Sequence, residues 1–440
     1  MSQIAIHWFR RDLRVHDNTA LYHAFQSGHP VLPIFIFDKN ILDELEDKND
    51  ARVTFIYDEI DRLRSTFQDH GSDVKIFYDT PEGAWKKLLD EYEVAEVYVN
   101  RDYEPYALQR DKNIAQLVEE EGGSLFRFKD QVIFDHEEVM KDDGDPYVVF
   151  TPYKRTWLDR VKQEEKEGND PFHHYPSETL LQRSMKWKDE DPPSLEEMGF
   201  ERSDVEIPSR QVSQKVIKVY DKKRNFPAED GTSRLGVHFR FGTISIREKV
   251  RKSSELNRTY LNELIWREFY SNILYHFPKV VDTSFREKYD NIEWRNNEAD
   301  FELWKEGKTG YPIVDAGMRQ LRQTGYMHNR VRMITASFLT KHLLIDWRWG
   351  EAWFARWLLD YELASNNGGW QWAAGCGTDA APYFRIFNPY TQREKFDKNW
   401  EYVKEWVPEI ETEDYPEPMV DHKEARERCL KVYKEALDNQ

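Results

Sequence analysis

The first 130 residues alternate short apolar runs with longer amphipathic stretches, and this alternation constrains the fold more than any other feature. The runs are rich in β-branched and aromatic residues and have the length of buried strands. They are Ile4–Phe9, Val31–Phe37, Val74–Tyr78, Val94–Asn100 and Leu125–Phe128. Between them, Arg52–Phe67 and Ala107–Glu121 carry apolar residues at helical spacing. The pattern predicts an α/β domain with a parallel, doubly wound sheet.

The chain changes character after residue 130. Residues 131–214 are rich in Asp, Glu, Lys and Pro, and we expect a linker with a few short helices there. From 215 to 440 strand patterns are absent, which predicts an all-α C-terminal domain. Its clearest helical periodicity lies in Leu261–Phe277, Pro312–Thr324, Arg330–Asp346 and Trp349–Tyr361. We expect the acidic tail, 401–440, to form a solvated helix.

Composition excludes several classes of protein. The 440 residues carry a net charge of −18, which excludes a uniformly basic nucleic-acid binder but not a local basic groove. Two cysteines exclude a disulfide scaffold and a cysteine-based zinc site, and we assign no metal ligands. No apolar run approaches the ~20 residues that span a bilayer, and residues 1–8 do not look like a secretion signal. We therefore expect a soluble, cytoplasmic protein without a membrane partner.

Tryptophan and positive charge are concentrated in the C-terminal half. Nine of the 15 tryptophans lie within residues 266–372. Residues 308–348 hold seven Lys or Arg and only two Asp. A basic stretch interleaved with aromatic residues is typical of an anion-binding groove with stacking platforms. An aromatic core with a solvated basic face is the alternative, and composition does not choose between them.

The segment Asp230–Gly236, with sequence DGTSRLG, has residue types suited to phosphate binding. Its glycines let backbone N–H groups approach an anion, its hydroxyls donate to phosphate oxygens, and its arginine supplies charge. An ordinary loop before a helix would look the same.

Two further segments suit a pocket. Glu263, Trp266 and Arg267 share one face of a predicted helix. A buried carboxylate beside an indole costs several kcal/mol unless it is paired, so either a ligand pocket or a Glu263–Arg267 ion pair is expected. In Asp360–Trp372, the pair Gly368-Gly369 predicts a tight turn that lines a site.

Together these segments resemble the photolyase/cryptochrome flavoproteins, and most closely the class I cyclobutane pyrimidine dimer photolyases. The motifs Trp8–Arg14 (WFRRDLR) and Gly377–Pro389 (GTDAAPYFRIFNP) extend the resemblance, which covers about residues 1–405. It implies an antenna domain at 1–130, a linker at 131–214, and an FAD- and DNA-binding catalytic domain at 215–440. It also implies light-driven DNA repair, in which excited FADH⁻ donates one electron to the dimer.

The resemblance implies an FAD site by motif position. Arg332 and Asp360 resemble an ion pair at the isoalloxazine, and Asn366 resembles the residue that faces flavin N5. Glu362 stands where an Asp is expected. The implied FAD contacts are Tyr220, Thr232, Ser233, Arg234, Leu235, Gly236, Tyr260, Arg267, Arg332, Asp360, Tyr361, Glu362 and Asn366.

The resemblance also implies a lesion site and an electron-transfer chain. A flipped pyrimidine dimer needs flat walls, a soft filler and polar groups, and a protonated Glu263 would donate to a thymine carbonyl. The implied lesion and DNA contacts are Arg224, Glu263, Trp266, Asn329, Arg330, Met333 and Trp372, with Glu263, Met333 and Asn366 as catalytic residues. Trp370, Trp347 and Trp294 resemble the chain that photoreduces the flavin.

Some alternatives stay open. A second chromophore could be methenyltetrahydrofolate, a deazaflavin or a second flavin, or there could be none. Glu104 could serve a folate, but Val280-Val281 replaces a Cys-Lys pair of folate-binding relatives. A cryptochrome-type blue-light receptor is the rival function, and a flavin-free nucleotide-binding protein is a third. We expect UV-damaged DNA with a flipped dimer as the partner, a monomer, and association with the nucleoid.

Overall fold

A computed structural model describes residues 3–189 and 192–438. Two compact units divide the chain, and each is assembled from three segments. The α/β unit comprises the described parts of 1–138, 159–210 and 235–252. The helical unit comprises those of 139–158, 211–234 and 253–440.

The α/β unit is built on a five-stranded parallel sheet in the order β3-β2-β1-β4-β5. The strands are β1 Ile4–Phe9, β2 Val31–Asp38, β3 Lys75–Asp79, β4 Val94–Asn100 and β5 Ser124–Phe128. Every residue of β1 and β2 is buried, as expected for central strands covered on both faces. The fold class predicted from the alternation is confirmed, with strand bounds within one residue of those expected.

Helices connect these strands and make up the rest of the fold. In chain order they are α1 Thr19–Gln26, α2 Lys39–Leu42, α3 Ala51–Gln68, α4 Pro81–Glu91, α5 Pro105–Glu120, α6 Phe150–Glu167, α7 Gln214–Lys218, α8 Tyr220–Lys223, α9 Gly236–Arg240, α10 Ile246–Leu256, α11 Arg258–His276, α12 Glu298–Glu306, α13 Pro312–Thr324, α14 Asn329–Ser337, α15 Trp347–Trp357, α16 Leu363–Ala374, α17 Pro389–Phe396, α18 Glu401–Trp406 and α19 His422–Asp438. Short 3₁₀ turns occupy Ser177–Arg183, Pro278–Val281 and Glu287–Asn291, and a π-helical turn occupies Phe338–His342. No described helix has the length and apolar character needed to cross a membrane.

Two helical predictions in the C-terminal half extend too far. The predicted helix 330–346 is α14, which ends at Ser337, followed by the π-helical turn and by Leu344 with φ of 50°. Leu343, Leu344 and Ile345 are fully buried, so apolar residues continue after the helix has ended. Similarly, α15 ends at Trp357, although buried residues continue beyond it.

Two other expectations underestimate helix packing. The segment expected to carry only short helices contains the 18-residue α6, which buries Phe150, Tyr153 and Trp157. Their apolar spacing is hidden by the charged residues around them. In the acidic tail, α19 buries one face through Ala425, Cys429, Tyr433 and Ala436, so it is not a fully solvated helix.

Candidate active site

The helical unit contains a cavity of about 380 Å³. Side chains of α11, α14, α15 and α16 line it, together with the segment between the last two helices. Among the lining residues are twelve that the sequence analysis selected, drawn from three separate segments of the chain. They are Glu263, Trp266, Arg267, Asn329, Arg332, Met333, Asp360, Tyr361, Glu362, Asn366, Trp370 and Trp372.

Helix α11 contributes a carboxylate, an indole and a guanidinium to the cavity. Its first turn is fixed by Asn257, whose side chain accepts hydrogen bonds from the first backbone N–H groups. Glu263 forms a close ion pair with Arg224. Arg267 Nη2 lies 2.7 Å from Glu362 Oε1. Glu263 and Arg267 therefore each have a partner on another element, which favours the pocket interpretation over a pair within the helix.

Aromatic rings hold the indole of Trp266 in place. The Phe150 ring stacks on it with centroids 3.8 Å apart and planes 12° apart. Tyr270 lies against it at 5.3 Å. A cavity-lining indole supported in this way is a preformed flat wall.

Helix α14 and the segment after α15 supply a second ion pair. Arg332 Nη2 lies 2.9 Å from Asp360 Oδ2, so the predicted pair is formed. Arg332 Nε also donates to the Met327 carbonyl at 2.7 Å, which fixes the guanidinium. The other carboxylate oxygen, Asp360 Oδ1, is buried and has no hydrogen-bond partner among the described residues. A buried acceptor without a donor is costly, so this atom suits the N–H group of a ligand.

Asn366 is oriented by a residue that sequence reasoning missed. Its Nδ2 donates to Glu351 Oε1 at 2.8 Å and to the Glu351 carbonyl at 3.1 Å. Burial raises the pKa of the Glu351 carboxyl, while the bond from Asn366 opposes that rise. Glu351 lies 15 residues earlier on another helix, and no local pattern links the two residues.

The expected tight turn at Gly368-Gly369 is wrong, because both glycines lie inside α16. The structure shows why glycine is needed there. A Cβ on Gly368 would lie 2.2 Å from a ring carbon of Tyr270, so a larger residue would push α16 away from α11. A Cβ on Gly369 would have no atom within 4 Å. Gly368 thus permits close helix packing, and neither glycine forms a turn.

The predicted phosphate-binding residues lie outside the lining of this cavity. Tyr260 Oη donates to Ser233 Oγ at 3.1 Å, and the Tyr220 ring contacts Tyr260 at 5.0 Å. Thr232 Oγ1 lies 3.2 Å from the hydroxyl of Tyr326.

Arg234 continues this loop, adopts φ of 51°, and places its guanidinium 5.2 Å from the centre of the Tyr326 ring. Tyr326 was not selected from the sequence. Leu235 and Gly236, the last two predicted contacts of this loop, belong to the α/β unit. Leu235 lies just before α9, and Gly236 is its first residue.

Positive charge converges on the start of α14. His328 caps this helix by accepting from the Arg330 N–H at Nδ1, which requires that nitrogen to be unprotonated. Burial lowers the pKa of His328 to about 4. The positive charges of four arginines also lower the pKa of His328: Arg224, Arg234, Arg330 and Arg332. Such a concentration of guanidinium groups favours an anionic ligand.

Two contacts fix the guanidinium of Arg330. It lies 4.5 Å from the centre of the Phe396 ring, and its Nη2 donates a hydrogen bond to Asn225 Oδ1 at 2.7 Å. Burial and the nearby Arg224 and Arg385 lower the pKa of Arg330. Three mutually repelling guanidinium groups in one region would be relieved by phosphate groups.

The three tryptophans of the predicted electron-transfer chain share one apolar cluster. Trp370 lines the cavity and is 2% exposed. Trp347 is buried at the start of α15, whereas Trp294 is partly buried and meets the Tyr433 ring at 6.0 Å. The cluster therefore runs from the cavity wall to a partly exposed indole.

Two protein-family models match the chain. The family model described as the FAD binding domain of DNA photolyase matches residues 260–413, and the model described as DNA photolyase matches residues 5–173. The chain is 37% identical to the deoxyribodipyrimidine photo-lyase of Halobacterium salinarum, over 98% of each chain. It is 38% identical to that of Vibrio cholerae, over 98% of this chain and 99% of the other.

The chain belongs to the DNA photolyase family. The predicted family, its lyase activity on DNA and its FAD-binding domain are thereby confirmed, which removes the flavin-free alternative. A class III photolyase structure from Agrobacterium tumefaciens is 33% identical, with a TM-score of 0.83 over 99% of this chain and 98% of the other. A Synechocystis cryptochrome structure, 23% identical with a TM-score of 0.84 over 98% and 99%, shares the fold.

One solved relative of this photolyase holds a second flavin. The photolyase structure from Sulfolobus tokodaii, 33% identical with a TM-score of 0.79 over 98% of this chain and all of that one, holds two FAD molecules. In the present chain Glu104, the candidate folate contact, is paired with Arg11 at 2.9 Å and Arg240 at 2.6 Å. A folate would have to displace these guanidinium groups.

The two glycines of α16 give a matched test of how this photolyase builds its cavity. We expect Gly368→Ala to destabilise the protein by about 1–3 kcal/mol, because its methyl group overlaps Tyr270. Gly369→Ala meets no atom, so it should leave stability unchanged or raise it by up to about 1 kcal/mol through helix propensity. Urea unfolding of both variants measures the difference. Equal stabilities would contradict the packing argument.

Proposed function

We propose that this chain repairs cyclobutane pyrimidine dimers in DNA by light-driven electron transfer, with reduced FAD bound in the helical unit. When bound, FADH⁻ supplies one electron to the dimer after absorbing blue or near-UV light. The observation that carries the proposal is a single cavity with aromatic walls, an unpaired buried acceptor at Asp360 and a surrounding concentration of arginines. We further propose that it acts as a monomer, in the cytoplasm at the nucleoid.

The residues present fit a flavin dinucleotide. Asp360 Oδ1 offers an acceptor to a ring N–H, and Arg332 keeps that carboxylate in place. Asn366, oriented by Glu351, presents an amide to the same cavity. The hydroxyls of Thr232 and Ser233 and the guanidinium of Arg234 would hold the phosphates, where their charge and donors match the ligand.

The lesion would occupy the side of the cavity lined by α11 and α14. Trp266 and Trp372 supply flat surfaces for a pyrimidine dimer flipped out of the duplex, and Met333 adapts to the shape of the fused rings. Asn329 and Glu263 supply polar groups to the thymine edges.

Arg224 couples DNA binding to the state of Glu263. In the protein alone, the two side chains neutralise each other. A DNA phosphate beside the lesion would compete with Glu263 for Arg224 and would also bind Arg330. Release of the ion pair would leave Glu263 free to take up a proton and to donate a hydrogen bond to a thymine carbonyl. Such a donor stabilises the negative charge that develops there after electron transfer.

The cryptochrome alternative has no observation in its favour here. Two residues weigh against it: Asn366 at the flavin position and Met333 in the lesion pocket.

Replacing Glu263 tests the repair chemistry. Glu263→Ala should retain FAD and bind dimer-containing DNA, yet repair fewer dimers per absorbed photon, by about tenfold or more, because the hydrogen-bond donor to the developing negative charge is lost. Repair of a dimer-containing oligonucleotide by pre-reduced enzyme measures this yield. Glu255→Ala, which removes an exposed carboxylate, is the matched control and should repair like the wild type. Unchanged yield in Glu263→Ala would remove this residue from the mechanism.

Replacing Trp294 separates photoreduction from repair. Trp294→Phe should slow light-driven reduction of oxidised flavin, because phenylalanine is much harder to oxidise than tryptophan. Repair by chemically pre-reduced enzyme should be unchanged. Trp353→Phe, another partly buried indole of the same cluster, should alter neither rate. The proposed separation of roles fails if Trp294→Phe loses both activities.

A further inference from the structure

We propose that His16, His174 and Glu178 of the α/β unit form a binding site for a divalent transition metal of the zinc class. The two histidines are exposed and Glu178 is half-buried. Potential ligand atoms of all three residues lie within 4.8 Å of one another. Neither the flavin nor the DNA proposed above uses any of them.

The geometry is close to that of a tetrahedral metal centre. Glu178 Oε1 lies 3.2 Å from His16 Nδ1 and 3.2 Å from His174 Nε2. Ligands about 2.0–2.1 Å from a zinc ion at tetrahedral angles are themselves about 3.3 Å apart. The imidazole rings have centroids 4.8 Å apart. The side chains of His16 and His174 are 52% and 44% exposed, so both rings have room to turn toward a shared ion.

Each histidine has a carboxylate near its other ring nitrogen. Asp17 Oδ1 lies 3.6 Å from His174 Nδ1, and Glu248 Oε2 lies 3.9 Å from His16 Nε2. Carboxylates in this position orient metal-binding imidazoles and raise their basicity.

These outer carboxylates are themselves held by other groups. Asp17 is fixed by Arg247 Nε at 3.1 Å and by the Ser245 hydroxyl, which makes it a rigid support. Glu248 also pairs with Lys252. The cluster therefore has three direct ligands and at least one fixed outer partner.

The types of the three ligands indicate which metal ion would bind. Two imidazoles and one carboxylate suit Zn²⁺ and neighbouring first-row ions better than Mg²⁺ or Ca²⁺. An open fourth position would be filled by water. Because the ligands come from the loop after β1 and from residues 174–178, a bound ion would link two parts of the α/β unit that are distant in sequence and stabilise the unit.

Zinc binding to the untagged, FAD-loaded protein tests the proposal. After treatment with a chelator, equilibrium dialysis against Zn²⁺ should give one bound ion per chain and a raised melting temperature. His16→Ala and His174→Ala should each weaken binding about tenfold or more and abolish the thermal shift. His173→Ala removes the adjacent exposed imidazole and should bind zinc like the wild type.

Two results would overturn the site. One is the absence of stoichiometric zinc binding to the wild type at sub-millimolar Zn²⁺. The other is equal binding by His173→Ala, His174→Ala and Glu178→Gln, which would place the ion elsewhere. Far-UV circular dichroism and a cooperative thermal transition like those of the wild type show that each variant is folded. Light-driven repair is not part of the readout, so failure of this site and failure of the repair proposal are separate outcomes.

Discussion

The candidate site depends on close packing between helices of the helical unit, in which an aromatic ring of one helix lies against the backbone of the next. Gly368 of α16 lies against the Tyr270 ring of α11, and a Cβ on Gly350 of α15 would lie 2.1 Å from the Trp370 ring. Only glycine allows both contacts, because any side chain would separate the helices. This approach brings Trp266, Trp370 and Asn366 to one cavity. The cavity is thus a consequence of helix packing rather than of a flexible loop.

Ion pairs fix the charged side chains of the cavity that helix packing brings together. Arg267 is fixed by Glu362 and Arg332 by Asp360, so the polar groups on the cavity wall keep defined positions without a ligand. Preorganised groups lose little entropy when a ligand binds. The Arg224–Glu263 pair differs, because both members are assigned to substrate. It is the one pair that DNA binding is expected to break.

Sequence reasoning succeeded where the pattern is local. The strand–helix alternation predicts the parallel sheet, and the ordered motifs identify twelve of the residues that line the cavity. It failed where tertiary contacts decide. Glu351 reaches Asn366 from another helix, Tyr326 meets the Thr232 loop from about 90 residues away, and the Gly368-Gly369 pair signals packing as readily as a turn. The His16–His174 cluster was missed for the same reason, since its ligands are far apart in sequence.

The central claim is that light and bound FAD drive reversal of pyrimidine dimers. The most direct measurement is the amount of intact thymine restored in a dimer-containing oligonucleotide by purified, reduced protein under blue light, with an identical sample kept in the dark. We expect restoration in the light and none in the dark. If the protein binds FAD and photoreduces it, yet restores no thymine in the light, the repair claim and the lesion-pocket assignments are contradicted together.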